Sequence, residues 1–159
     1  MKKVFVNMDK CIACRTCSAA CDYSHWDRRP TIGYGELRED VRLPFICRHC
    51  EQPACLEACP QNAIRKLDGG QVKRMNMLCT GCGSCTVACP FGVIEPVVKS
   101  NVISKCDLCA ARVEEGREPA CVRACPTGAL TVEEADEIAE KSVVVGSSMT
   151  GRHPFFRRV

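Results

Sequence analysis

The apolar positions of this chain fall in short runs, each closed by turn residues or by cysteines. Residues 3–7 carry Val4, Phe5 and Val6 and predict a short strand. Residues 36–43 mix Leu37, Val41 and Leu43 with charged neighbours and predict a polar, edge-like strand. Ala63 to Leu67 and Gln71 to Met75 flank Asp68-Gly69-Gly70. These turn residues accept positive φ, so the stretch predicts a hairpin. Residues 92–104 alternate Val and Ile with turn residues and are expected to return across the structure. Residues 127–131 predict a final strand. Glu133 to Lys141 predicts a helix, with Thr131 as its N-cap and acids in its first turn. Arg28-Arg29-Pro30 and the Gly33/Gly35 pair predict exposed turns. Arg112 to Glu118 reads as a charged surface loop or short helix.

Composition shows why such short elements need help. The chain has 159 residues, enough for one domain or two small lobes. Leu, Ile, Val and Phe together number 35, near the level at which chains begin to fail to fold. The apolar fraction of 46% includes 16 cysteines, about a tenth of all residues. That density means a disulfide scaffold or a metal protein. Metal binding adds cohesion where a core is thin, because ligation becomes folding free energy.

The cysteines are ordered. Cys79, Cys82, Cys85 and Cys89 are followed by Pro90 and read C-x2-C-x2-C-x3-C-P. In that run three cysteines hold one [4Fe–4S] cluster and the fourth reaches a second. Gly81 and Gly83 let the backbone coil close to a cluster. Three further quartets account for every other cysteine: Cys11, Cys14, Cys17, Cys21; then Cys47, Cys50, Cys55, Cys59-Pro60; then Cys106, Cys109, Cys121, Cys125-Pro126. Their spacings are x2, x2, x3; x2, x4, x3; and x2, x11, x3. Asp22 stands where the first quartet would otherwise have Pro.

Zinc favours paired C-x2-C knuckles separated by a longer gap, not four close thiols in one run. Disulfides would strain many neighbouring pairings. Catalytic thiol chemistry needs one activated cysteine beside a base, and nothing singles one out. No apolar run approaches the ~20 residues of a membrane span. Met1-Lys2-Lys3 precedes too short an apolar stretch for a signal region, so the expectation is a cytoplasmic chain with reduced thiols. The formal charge of +3 counts cysteines as neutral. Four oxidised clusters at about −2 each would bring the loaded protein to roughly −5, which removes the case for nucleic acid.

On these four quartets the chain resembles the four-cluster, ferredoxin-like electron-transfer subunits of molybdenum and tungsten oxidoreductases. The x4 and x11 gaps are part of the match, which spans roughly residues 3–132. The family includes subunits of formate dehydrogenases, nitrate and dimethyl sulfoxide reductases, hydrogenases and carbon monoxide dehydrogenase. In size the chain is most similar to the small subunit of tungsten-dependent aldehyde oxidoreductases. The resemblance implies an α+β fold of two ferredoxin-like lobes, one inserted in the other, with short hairpins and helices around four [4Fe–4S] clusters. Residues 1–34 and 101–132 would form the first lobe, 35–100 the inserted lobe, and 133–159 a C-terminal helix and partner-binding tail. It also implies the ligand sets. Cys11, Cys14 and Cys17 take Cys125. Cys47, Cys50 and Cys55 take Cys89. Cys79, Cys82 and Cys85 take Cys59. Cys106, Cys109 and Cys121 take Cys21.

The implied function is one-electron transfer between a catalytic subunit and a second redox partner, a soluble carrier or a flavin subunit. No catalytic residue is expected. The competing readings are a free polyferredoxin shuttle and a structural metal module. Trp26, with His25 and Tyr34, either packs over a cluster or meets a partner. The tail, with Arg152, His153, Phe155, Phe156, Arg157 and Arg158, is either frayed or an arm docking on another subunit. End-to-end self-association is a further expectation. Arg48 and His49 lie inside the second quartet, whereas small neutral residues separate the first three cysteines of the Cys79 run. The Cys79 cluster is therefore expected to have a lower potential than the Cys47 cluster.

Overall fold

A computed structural model describes residues 2–25, 32–37, 41–95, 98–99, 102–134, 143–145 and 148–150. Its strands pair only in twos. β1 (Lys2–Val6) pairs antiparallel with β8 (Leu130–Glu134), which closes distant parts of the chain on one another. The other pairs are local hairpins: β2 (Gly33–Leu37) with β3 (Val41–Phe45), β4 (Ile64–Lys66) with β5 (Val72–Arg74), β6 (Val98–Lys99) with β7 (Val102–Ile103), and β9 (Val143–Val145) with β10 (Ser148–Thr150). The helices are equally short. α1 (Thr16–Ser24) has nine residues; α2 (Ala54–Glu57), α3 (Ser84–Ala88), α4 (Ala110–Glu114) and α5 (Ala120–Arg123) have four or five. Helices this short are not stable alone in water and depend on packing.

That packing is built around sulfur. One buried cluster joins Cys17, Cys21, Ile32, Cys121, Val122 and Leu130, with Val4, Val6, Ile46, Cys125 and Val132 against it. Cys17 and Cys21 lie one helical turn apart on α1, so both face α5. A second cluster of Val93, Ile94 and Ile103 is surrounded by Cys47, Cys55, Cys85, Cys89 and Phe91. Aliphatic side chains here frame the cysteines.

The expected strand at 3–7 and the hairpin around Asp68-Gly69-Gly70 are present, with shifted bounds, and of the charged stretch 112–118 the first three residues end helix α4 while 115–118 are loop. Three expectations change. Residues 36–37 and 41–43 belong to two strands of one hairpin, with Glu36 opposite Arg42 and Leu37 opposite Val41. Gly33 and Gly35 lie in β2, not in a turn. Glu133 and Glu134 are strand residues. They stand opposite Lys3 and Lys2, and Thr131 stands opposite Phe5 instead of capping a helix. A cross-strand partner with complementary charge overrides the local helical pattern there. The rest of that predicted helix (135–141), Trp26, Arg28–Pro30 and the tail from 151 onward lie outside the described residues. Among the described residues no helix is long and apolar enough to cross a membrane.

Leu130 is 4% exposed at the meeting of β8 with the α1–α5 cysteines. Leu130→Ala is expected to lower stability by about 2–5 kcal/mol, as for other buried leucines. The check is the denaturant midpoint of the anaerobically purified protein.

Candidate iron–sulfur centres

None of the sixteen cysteines is joined to another in a disulfide. The folded chain draws them together across large sequence separations. Cys11, Cys14 and Cys17 line one small cavity with Cys125, after a loop in which Ala13 and Arg15 take left-handed backbone angles of φ 55° and 61°. Such angles are uncommon outside glycine and mark a backbone wrapped tightly around something. Cys47, Cys50 and Cys55 line a second cavity with Cys89. Cys79, Cys82 and Cys85 line a third with Cys59. Gly81 and Gly83 have φ 71° and 81°, the coil that small residues permit at this loop. Among the described residues, no carboxylate lines any of these three cavities.

The remaining cysteines are Cys21, Cys106, Cys109 and Cys121. All but Cys106 are buried, as is the neighbouring Cys17 of the first cavity. Burial pushes the Cys121 thiol up to about 12, and Cys109, Cys21 and Cys17 add to the effect. Burial likewise raises Cys106, with Cys47 next in weight. Cys55 is pushed up to about 11, again first by burial. At the exposed loops the direction reverses. The Thr16 hydroxyl lowers Cys14 and the Ser84 hydroxyl lowers Cys82. Buried thiolates crowded together repel one another, so a cationic iron centre is the natural counter-charge. The donor set fits such a group. It consists of soft sulfur, and the backbone N–H of Ala63 donates to Cys59 Sγ at 3.2 Å while that of Leu108 donates to Cys106 Sγ at 3.4 Å.

The charged neighbours differ from those suggested by sequence adjacency. His49 is 1% exposed, and its Nδ1 accepts a hydrogen bond from the Val72 N–H at 2.9 Å. Burial, with Lys105 nearby, lowers its pKa to about 3. It is therefore neutral and adds no positive charge to the Cys47 group. Arg48 is exposed and lies 4.0 Å from the centre of the Phe91 ring. Conversely, the Cys79 group has a cationic neighbour after all. Arg74, 6% exposed, lines its cavity, held by the Ile103 carbonyl and by Asn76 Oδ1. His25 stands one helical turn after Cys21. Its Nδ1 meets the Cys21 carbonyl at 2.9 Å and its Nε2 faces Asp107 Oδ1 at 3.4 Å. Hydrogen bonding to Asp107, then to Cys109 and Cys21, raises it to about 12. Asp107, Arg74 and Lys105 escaped the sequence reading as neighbours of distant cysteines. The only available signal was that Lys105 adjoins Cys106.

Comparison with known proteins completes the assignment. A 4Fe-4S dicluster domain matches residues 40–135, and a 4Fe-4S binding domain matches residues 8–24. The chain belongs to the 4Fe–4S dicluster family. It is 35% identical over 156 residues to the B subunit of the anaerobic dimethyl sulfoxide reductase of Escherichia coli (strain K12), covering 86% of this chain and 75% of that subunit. It is also 35% identical over 169 residues to the nitrate-inducible formate dehydrogenase iron-sulfur subunit of the same strain, covering 87% of this chain but 57% of that subunit. Among solved structures, the active site complex BamBC of benzoyl coenzyme A reductase with benzoyl-CoA holds a polypeptide that matches at 26% identity and TM-score 0.43, covering 88% of this chain and 86% of that one. As a dicluster-family protein with sixteen cysteines, the chain carries four [4Fe–4S] clusters and is an electron-transfer protein, not a catalytic one.

Two substitutions test the role of His49. His49→Leu leaves the buried Val72 N–H without its acceptor and is expected to cost about 1–3 kcal/mol. His49→Asn retains an acceptor but does not titrate. In the parent, the unfolded chain takes up a proton near the ordinary 6.5, which the folded chain refuses down to about 3. Stability supplied above pH 6.5 is thus lost as pH falls through 6.5 towards 3. Denaturant midpoints at pH 7.5 and 5.5 are expected to differ less in His49→Asn than in the parent.

Proposed function

We propose that this chain is a four-cluster wire between the catalytic subunit of a molybdenum or tungsten oxidoreductase and a second redox partner. Each cluster accepts and releases one electron, with potentials set by charge, hydrogen bonds to sulfur and solvent exposure. The observation that carries this reading is the graded burial of four thiol groups along a path. Cys14 and Cys82 are exposed, while Cys17, Cys21, Cys109 and Cys121 are buried. The proposed ligand sets are Cys11, Cys14, Cys17 and Cys125; Cys106, Cys109, Cys121 and Cys21; Cys47, Cys50, Cys55 and Cys89; and Cys79, Cys82, Cys85 and Cys59. In that order each set adjoins the next. Cys17 acts on Cys121, Cys47 acts on Cys106, and Cys55 packs with Cys85 around Val93 and Ile94. Electrons then enter at one exposed loop and leave at the other. On this reading the two lobes are residues 1–34 with 101–132, and the inserted 35–100.

The finer reading is that the catalytic partner is a tungsten aldehyde oxidoreductase and that the complex is cytoplasmic. It rests on the resemblance in quartet spacing. The 35% identities to subunits of a dimethyl sulfoxide reductase and a formate dehydrogenase support the alternative partners. The second partner is a soluble carrier or a flavin subunit.

Anaerobic purification of the tagged chain from its native host tests both levels. A large partner carrying tungsten, with aldehyde-dependent reduction of the clusters, is the expected result. A molybdenum partner that reduces them with formate would refute the finer reading, as would clusters oxidised by dimethyl sulfoxide. Recovery of the loaded chain alone would overturn the fixed wire in favour of a shuttle. Iron and sulfide are expected near sixteen each per chain, four per cluster.

A further inference from the structure

Lys105 is the most deeply placed ammonium among the described residues whose contacts reach a cysteine sulfur. It is 6% exposed, yet it precedes Cys106 in a segment without regular structure. Its Nζ donates to the Val72 carbonyl, to the Cys106 carbonyl at 3.0 Å and to Cys47 Sγ at 3.6 Å. An ammonium has three hydrogens, and these three acceptors use them. The side chain is therefore held in place. It also lines the cavity of Cys47, Cys50, Cys55 and Cys89, not only the neighbourhood of its own quartet.

The sulfurs on either side come from different quartets. Cys47 and Cys106 are 59 positions apart in the chain, and the Lys105 ammonium bonds both the Cys47 sulfur and the Cys106 carbonyl. Charges in such a place interact strongly, because little solvent lies between them. A buried charge should not be left unpaired. When the clusters are loaded, their thiolates provide that counter-charge.

We infer that Lys105 is a shared cation between the cluster of Cys47, Cys50, Cys55 and Cys89 and the cluster of Cys106, Cys109, Cys121 and Cys21, raising the reduction potential of both. It is a positioning residue that acts through the clusters' electrostatic setting. The inference rests on the ligand sets proposed above. It places the charge that favours an electron at the crossing between the two halves of the wire. Arg48, which is exposed and lies over the Phe91 ring, does not supply it there.

The test uses the complete four-cluster protein, with Lys105→Met, Lys105→Gln and Lys105→Arg. Potentials are read by redox titration followed by spin resonance, and iron is counted in each sample. Cys47→Ser and Cys106→Ser first identify the two signals concerned. If either serine variant perturbs signals that the proposed sets do not contain, the ligand sets fail, and this inference fails with them. With the sets upheld, Lys105→Met is expected to shift both identified centres downward by at least tenfold in the one-electron equilibrium, which is 59 mV. The other two centres stay in place. Lys105→Arg keeps the charge and is expected to stay near the parent. Lys105→Gln is expected to follow Met and serves as the reading if Met loses iron. Unmoved potentials with full iron would overturn the inference while leaving the ligand sets intact. An equal shift of all four centres, or a shift in Arg as large as in Met, would also overturn it.

Discussion

The constraint on which this fold depends is the burial of mutually repelling sulfur. Twelve of the sixteen thiols gather around three small cavities, and of the other four Cys21, Cys109 and Cys121 lie buried, where water cannot screen them. Without a cationic centre, burial raises the thiols of Cys55, Cys106 and Cys121 and favours their neutral form. With one, the same positions become ligands. The surrounding structure is too slight to impose this arrangement by itself. Among the described residues it has two-stranded sheets, helices of four to nine residues and small aliphatic clusters. Ligation and folding are therefore linked, since the metal joins segments that the backbone leaves far apart.

This explains what could be read from the chain. The four quartets are a local pattern, and their spacing carries the cluster chemistry directly. The hairpin around Asp68-Gly69-Gly70 is equally local, because two strands and their turn lie within fifteen residues. Elements that depend on distant partners were not visible in the same way. Glu133 and Glu134 look like the first turn of a helix until Lys3 and Lys2 are placed opposite them. The 36–43 segment looks like one strand until its halves are seen to pair with each other.

Charge was the least legible feature, for the same physical reason. Sequence adjacency assigns His49 and Arg48 to the Cys47 group and leaves the Cys79 run neutral. In space, His49 loses its charge through burial, while Arg74 comes from β5 to the Cys79 group. The potential of a cluster depends on charges within a few ångströms, and those come from whichever segment packs there. A run of cysteines therefore announces a cluster but not its electrostatic surroundings.

The contacts around Val72 draw these threads together. His49 accepts from its N–H and Lys105 donates to its carbonyl, so this one residue of β5 is clamped by the second quartet and by the segment leading into the fourth. Arg74, two residues later, binds the Ile103 carbonyl on that same segment. The middle of the molecule is thus fastened by buried polar contacts whose loss would leave charges or backbone groups unpaired. The ends are built differently. Ile12 is 64% exposed beside Cys14, and Met77 and Val87 are at least 90% exposed on the elements flanking Cys82. Substitution at those loops leaves the central clamp untouched. On the wire proposed above, this arrangement holds the crossing between the second and fourth quartets while the loops of Cys14 and Cys82 carry exposed apolar side chains.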